Sequence, residues 1–236
     1  AMIWGENLVN IGIVGGGIID GEGMQSVPKP GGGAKAIALK LCRNITIKDI
    51  SILKAGHFAI LPTGCDNMTI DNFKVDTNRD GINIDCCKNV VISNCIVNSD
   101  DDAICLKSSY ALGYPRATEN VTITNCILSG YQKGSVFDGT YIDEGDYVTP
   151  TLNIKRIGRI KFGSESNGGF RNIAISNCVF DKCWGIALET VDGGILENVN
   201  INNITMTDIA DSPLFIRLGA RMRGPEGAAI GICRNI

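Results

Sequence analysis

Aromatic residues are scarce in this chain, 6% of 236 residues, and no uninterrupted apolar run approaches the ~18 residues of a membrane-spanning helix. No such helix is expected in it. An excess of positive charge is also missing: 22 Lys and Arg against 25 Asp and Glu leave a formal net charge of -3. That balance argues against a nucleic-acid partner, whose phosphates call for a basic face, and a neutral or locally complemented ligand fits better. There are ten cysteines but no CxxC pair, which excludes a zinc ribbon, and the chain is too long to need the disulfide framework of a small secreted domain. The opening AMIWGENLVN shows neither the basic start nor the long apolar run of a signal peptide, and it does not decide export. What the chain does have is 29 glycines and 44% hydrophobic residues, with Asn, Ile, Val and Thr prominent. This mixture suits many short strands joined by tight turns, packed as one domain over residues 1–236.

A repeat organises the whole chain. Segments of the form Asn-x-x-Ile-x-Asn/Asp recur as NITIKDISI from Asn44, NMTIDNFKV from Asn67, NVVISNCIV from Asn89, NVTITNCIL from Asn120, NIAISNCVF from Asn172 and NVNINNITM from Asn198. The first two intervals are 23 and 22 residues and the later ones 31, 52 and 26, so the basal unit is about 22 residues with insertions. Each unit alternates apolar and polar positions and has no useful helical periodicity. Strands this short bury a face only by stacking on their neighbours. The expected fold is all-β: a right-handed parallel β-helix, a single-stranded solenoid with coils ~4.8 Å apart.

Stacking converts sequence offsets into spatial columns. Six residues after each repeat Asn stand Ile50, Phe73, Cys95, Cys126, Cys178 and Ile204, a core column whose cysteines are read as buried free thiols. A disulfide ladder is the lesser reading, since parallel Cβ vectors one coil apart are poorly aimed at each other. The sequons at Asn44, Asn67 and Asn120 coincide with the repeat Asn and are read as turn and ladder residues ahead of glycosylation sites.

Thirteen residues after the repeat Asn come His57, Asp80, Asp102 and Lys133 in consecutive units, with Arg79 and Asp101 one position earlier in theirs. This count predicts His57, Asp80 and Asp102 in one column, with Asp101 beside Asp102 and turned to another side. An isolated Asp100-Asp101-Asp102 run is ordinarily a solvated turn. Stacked like charges are destabilising unless something uses or neutralises them. Clustered carboxylates shift one another's pKa, as an acid and base pair requires, while a calcium site is the second choice because Arg79 and Lys107 stand nearby. Inverting glycoside hydrolysis needs one protonated carboxyl and one carboxylate that activates water, ~6.5 to 9.5 Å apart.

At these residues the chain resembles glycoside hydrolase family 28, the polygalacturonases and rhamnogalacturonan hydrolases. NRDGINID from Asn78 is similar to the family's Asn-Thr-Asp-Gly segment, and DDAICLKS from Asp101 to its Asp-Asp-Cys-Ile-Ala-Ile-Lys-Ser segment. GGGIIDGEG from Gly15 and GSESNGG from Gly163 extend the likeness over nearly the whole chain. The resemblance implies a right-handed parallel β-helix that cuts α-linked galacturonate polymers of pectin with inversion and without a metal or other cofactor. Asp101 is then the general acid, and Asp80 and Asp102 hold the attacking water. Lys107 matches the family's lysine after the paired aspartates, and its alternative is a salt bridge to Asp80 or Asp102. His57 and Arg79 are further expected substrate contacts.

Two departures stand out. The family's Gly-His-Gly segment aligns with Ile157, Gly158 and Arg159, and its Arg-Ile-Lys with Ala187, Leu188 and Glu189, where Glu189 would repel a uronate. Arg159 and Lys161 are candidates to bind substrate from their own coil. Residues 131–157 read as an inserted loop near the active site that narrows substrate choice, with Tyr131, Phe137 and Tyr141 either stacking on sugars or packing the loop. Arg217, Arg221 and Arg223 form a second rim that receives acidic sugars or only solvates an edge. A rhamnogalacturonan-cleaving or exo-acting enzyme, a calcium-dependent lyase and a non-catalytic polysaccharide-binding β-helix are the alternatives. The expected partner is a pectic polysaccharide, with no nucleic acid and no membrane. The protein is expected to be a monomer, secreted or periplasmic, and this chain a fragment without its cap and last coils.

Overall fold

The computed structural model describes residues 1–24, 33–131, 133–142 and 157–236. Among these residues there are only strands, turns and bends, and every strand pair is parallel. The chain winds as a right-handed parallel β-helix. Its front sheet has eight strands in chain order: Ile3–Glu6, Lys35–Lys40, Phe58–Thr63, Asp80–Asp85, Ile104–Ser108, Ile160–Ser166, Ile186–Thr190 and Leu214–Leu218. Among the described residues the other two faces merge into one 13-stranded sheet, because Phe170–Asp181 and Ile195–Thr207 keep their strand pairing through a corner at which earlier coils break, although Asn177 and Asn203 still turn it with φ of 54° and 49°.

The repeat Asn makes a different corner, the one at which the chain leaves the front sheet. Asn44, Asn67, Asn89, Asn120, Asn172 and Asn198 all have φ between 55° and 57°, the left-handed region that asparagine tolerates better than other side-chain-bearing residues. Their amides then form a ladder along the solenoid. Asn89 donates to Asn67 at 3.0 Å, Asn120 to Asn89 at 2.9 Å, Asn172 to Asn120 at 3.0 Å and Asn198 to Asn172 at 3.1 Å. Asn44, Asn67 and Asn120 thus hold the turn and ladder positions that their spacing predicted.

Inside, like stacks on like. Ile37, Ile60, Ile82, Ile104, Ile160 and Ile186 form one buried column under the front sheet. Phe73, Cys95, Cys126 and Cys178 form another, and all ten cysteines carry free thiols, nine of them buried. Short aliphatic and thiol side chains suit this narrow prism, whose largest buried members are Phe73, Phe162, Phe170 and Phe180.

Replacing Asn120 by alanine removes two rungs and puts a less tolerant residue in the left-handed turn. It should lower stability by about 2 kcal/mol in urea unfolding, whereas Asn120→Gly, which keeps the turn, should cost about half as much. Equal losses would show that the turn conformation contributes nothing.

Candidate active site

The front sheet registers Lys35, Phe58, Asp80, Asp102 and Gly158 in one column of successive coils. His57 is not beneath Asp80, as the offset count had it. Asp80 pairs with Phe58, and His57 lies one step earlier, level with Arg79. The cause is the 23-residue interval from Asn44 to Asn67, whose extra residue falls before the front strand, whereas the next interval has 22. His57 instead meets Arg79, its Nδ1 3.2 Å from Nη1, and packs edge-on against Phe58.

The corner that carries the aspartates is tight. A Cβ at Gly81 would sit 2.5 Å from the Ala103 carbonyl oxygen, so only glycine follows Asp80 without displacing the next coil. Asp101 is tied to its neighbours in the chain by two short hydrogen bonds. Its Oδ1 accepts the Asp102 backbone N–H at 2.9 Å, and its carbonyl accepts from Ser99 Oγ at 2.8 Å.

Cations interleave the carboxylates. Arg79 Nε stands 3.8 Å from Asp80 Oδ1 and 3.7 Å from Asp101 Oδ2, and bridges the two coils without a hydrogen bond of its own. Asp102 is clamped from the following coil: Arg159 Nε lies 2.7 Å from Oδ1 and Lys161 Nζ 3.2 Å from Oδ2. Arg159 also stacks on the Trp184 ring and reaches Glu189 at 3.9 Å. Both residues expected to meet substrate therefore pair with Asp102. The family histidine cannot be accommodated at Gly158, because φ is +44° and a Cβ there would collide with the Ser129 carbonyl.

Lys107 reaches Asp80 at 4.0 Å and Glu165 more closely, at 3.2 Å. Offset counting misses Glu165, because the pairing slips between Leu106–Phe162 and Ser108–Ser166 and delivers Glu165 opposite Lys107. Arg217 pairs in register with Glu189 on the exposed last front strand, two coils beyond Gly158. Arg221 binds Asp192 on the rim. Tyr131 donates to Asp181 at 2.6 Å and packs on Tyr141, which is loop packing. Ser135 and Val136 bind Asp76 on the flank behind the corner, enclosing a cavity of about 400 Å³ with Asp100. Residues 143–156 of the inserted loop lie outside the described residues.

Burial and charge divide the ionisation. Asp80 is held well above the usual carboxylate range, first by burial and then by the charge of Asp101. Burial, followed by the Asp102 charge, also raises Asp101. Burial alone would raise Asp102 too, but Lys161 and Arg159 outweigh it and hold this carboxyl below its ordinary value. Asp100 is pushed up to about 7 by burial and then by the charges of Asp76 and Asp101. Glu165 is held down at about 2, because Lys107 overcomes the cost of burial. The resting trio thus has one fixed carboxylate and two carboxyls disposed to hold protons.

These opposite shifts predict opposite effects on stability. The folded state keeps protons on Asp80 and Asp101 that the unfolded chain loses above pH ~3.9, so their contribution worsens as pH rises toward their folded values. Asp80→Asn and Asp101→Asn should each raise the melting temperature at pH 7. The contribution of Asp102 is present above that range and disappears as pH falls through its lowered value. Asp102→Asn should cost about 3 kcal/mol at pH 7 by leaving Arg159 and Lys161 buried without their carboxylate. A stabilised Asp102→Asn variant would contradict the division.

Several known proteins are similar to this chain. A family model described as glycosyl hydrolases family 28 matches residues 1–132. A probable polygalacturonase of Vitis vinifera is 25% identical over 224 residues, covering 87% of this chain and 41% of that protein. An exopolygalacturonase of Oenothera organensis is 29% identical over 275 residues, covering 95% of this chain and 73% of that one. Among solved structures, the exopolygalacturonase of Thermotoga maritima superposes with a TM-score of 0.65 at 20% identity, covering 85% of this chain and 42% of that one. The polygalacturonase of Erwinia carotovora does so at 0.67 and 17%, covering 92% and 57%. The chain spans less than half the length of the Vitis relative. With more than half of its residues matched by the model, the matched stretch including all three aspartates, the chain belongs to glycosyl hydrolases family 28.

Proposed function

We propose that the protein is an inverting glycoside hydrolase that cuts an α-linked, galacturonate-containing polysaccharide at Asp80, Asp101 and Asp102. The observation that carries this reading is the division of charge within the trio. Hydrolysis needs an acid and a base that coexist at one pH, and environments that push neighbouring carboxyls apart supply them. The family and the printed names of the relatives supply the substrate class.

In this mechanism Asp101 delivers its proton to the leaving oxygen. Its Oδ1 is occupied by the Asp102 N–H, which leaves Oδ2 as the donor atom. Water enters between Asp102 and Asp80, attacks the anomeric carbon from the other side and loses a proton to ionised Asp102. Arg159 and Lys161 keep that acceptor charged and oriented until the proton arrives. Lys107 and Arg79 hold Asp80 in place through the 4.0 and 3.8 Å contacts and meet the substrate beside it. His57, packed on Phe58, lines the same floor. Arg217, exposed at the last front strand, is left to meet a distant part of the polymer. A polymer of this kind is met outside the cell, so the protein is secreted or periplasmic.

Release of reducing ends tests the assignment. Asp101→Asn should lower kcat on polygalacturonate by about 10²- to 10⁴-fold, and unchanged turnover would remove Asp101 from the chemistry. Removing one clamp should raise the Asp102 pKa, so Arg159→Met should move the acid limb of kcat/KM to higher pH while Arg159→Lys largely restores it. An acid limb that stays in place would show that Asp102 is not the base.

A further inference from the structure

The polar column does not end at the aspartates. Going toward the N-terminus, the coil beside Asp80 presents Phe58 and the next presents Lys35, in strict register. We infer that Phe58 and Lys35 form a sugar subsite for a uronate residue, with the ring of Phe58 under the sugar and the Lys35 ammonium on its carboxylate. This subsite rests on the reading of the aspartates as the point of cleavage, since it takes the residue that lies on the N-terminal side of the bond being cut.

Three observations carry it. The coil rise of ~4.8 Å is close to the length of a pyranose in an extended chain, so a polymer lying along the column meets one coil per sugar. Phe58 is only half-buried on the front face, with Lys35 Nζ 5.7 Å and Lys107 Nζ 5.8 Å from its ring centre. A flat apolar ring flanked by ammonium groups suits the apolar face of a sugar whose edge carries an anion.

Charge separates Lys35 from its neighbours. Arg79, Lys107, Arg159 and Lys161 each stand within 4.0 Å of a carboxylate, so a uronate approaching any of them competes with the protein's own anions. Lys35 has no carboxylate partner among the described residues. Its ammonium donates to the Gly33 carbonyl at 3.3 Å and otherwise faces the Phe58 ring. A substrate carboxylate would supply the missing anion without displacing another. The positive charge that the Arg-Ile-Lys position lacks on one side of the aspartates is thereby found on the other side.

Calorimetric binding tests this in the Asp101→Asn background, where the ligand is not cut, with a short oligogalacturonate and its methyl ester as probes. Lys35→Met should weaken the acid oligomer about tenfold and leave the ester unchanged, as expected for loss of one charge-assisted hydrogen bond. Lys35→Arg should retain the preference for the acid, and Phe58→Ala should weaken both probes alike. Parent-like affinity of Lys35→Met for the acid oligomer, an equal loss for both probes, or no binding by the Asp101→Asn protein would each overturn the subsite. Reducing-end release by the unsubstituted protein keeps the two readings apart. Cleavage without dependence on Lys35 sinks the subsite alone, and Lys35-dependent binding without cleavage sinks the hydrolase.

Discussion

Backbone hydrogen bonding between successive coils is the constraint on which everything else in this protein depends. Each strand bonds only to the coils before and after it, so a residue's neighbours are fixed by counting along the chain. Inside the prism this stacking is favourable. Isoleucine lies on isoleucine and thiol on thiol, and the corner asparagines bond in a ladder. On the outside the same rule would be ruinous for charge, because a carboxylate repeated at one position is brought next to its copy.

The front face meets that problem with cations from adjoining coils. Arg79 stands between Asp80 and Asp101, Arg159 and Lys161 reach Asp102 from the following coil, and Lys107 lies between Asp80 and Glu165. The compensation is uneven, and the unevenness is what the proposed hydrolysis needs. Asp102 has two close cations and stays charged, whereas buried Asp80 and half-buried Asp101 have only contacts of 3.7 Å or more. Well-satisfied charges would all ionise together, and an acid would be lost.

Much of this was legible before any coordinates. The repeat Asn, the 22-residue period and the apolar columns followed from one alternation pattern, and the pairing of Cys95, Cys126 and Cys178 came from a constant offset. Asp80 and Asp102 were brought together the same way, because the interval that links them carries no insertion. Counting failed where coils differ in length. One extra residue after Asn44 exchanged Phe58 for His57 beneath Asp80, and a slipped register concealed Glu165. The 52-residue interval after Asn120 left the coil of Arg159 and Lys161 without a reliable offset, so their clamp on Asp102 was not foreseen. The aromatic loop residues were ambiguous for another reason: whether Tyr131 faces a sugar or Asp181 depends on tertiary packing that no local pattern encodes.

The proposed hydrolysis requires a proton-bearing Asp101 and a charged Asp102 to act on opposite sides of one glycosidic bond, with water between them. The most direct test is the anomeric form of the sugar first released from an α-linked substrate, followed by proton NMR before mutarotation. Direct attack by water predicts the β-anomer at the new reducing end. Initial release of the α-anomer would require a covalent intermediate on a carboxylate and would contradict the arrangement proposed for these three aspartates.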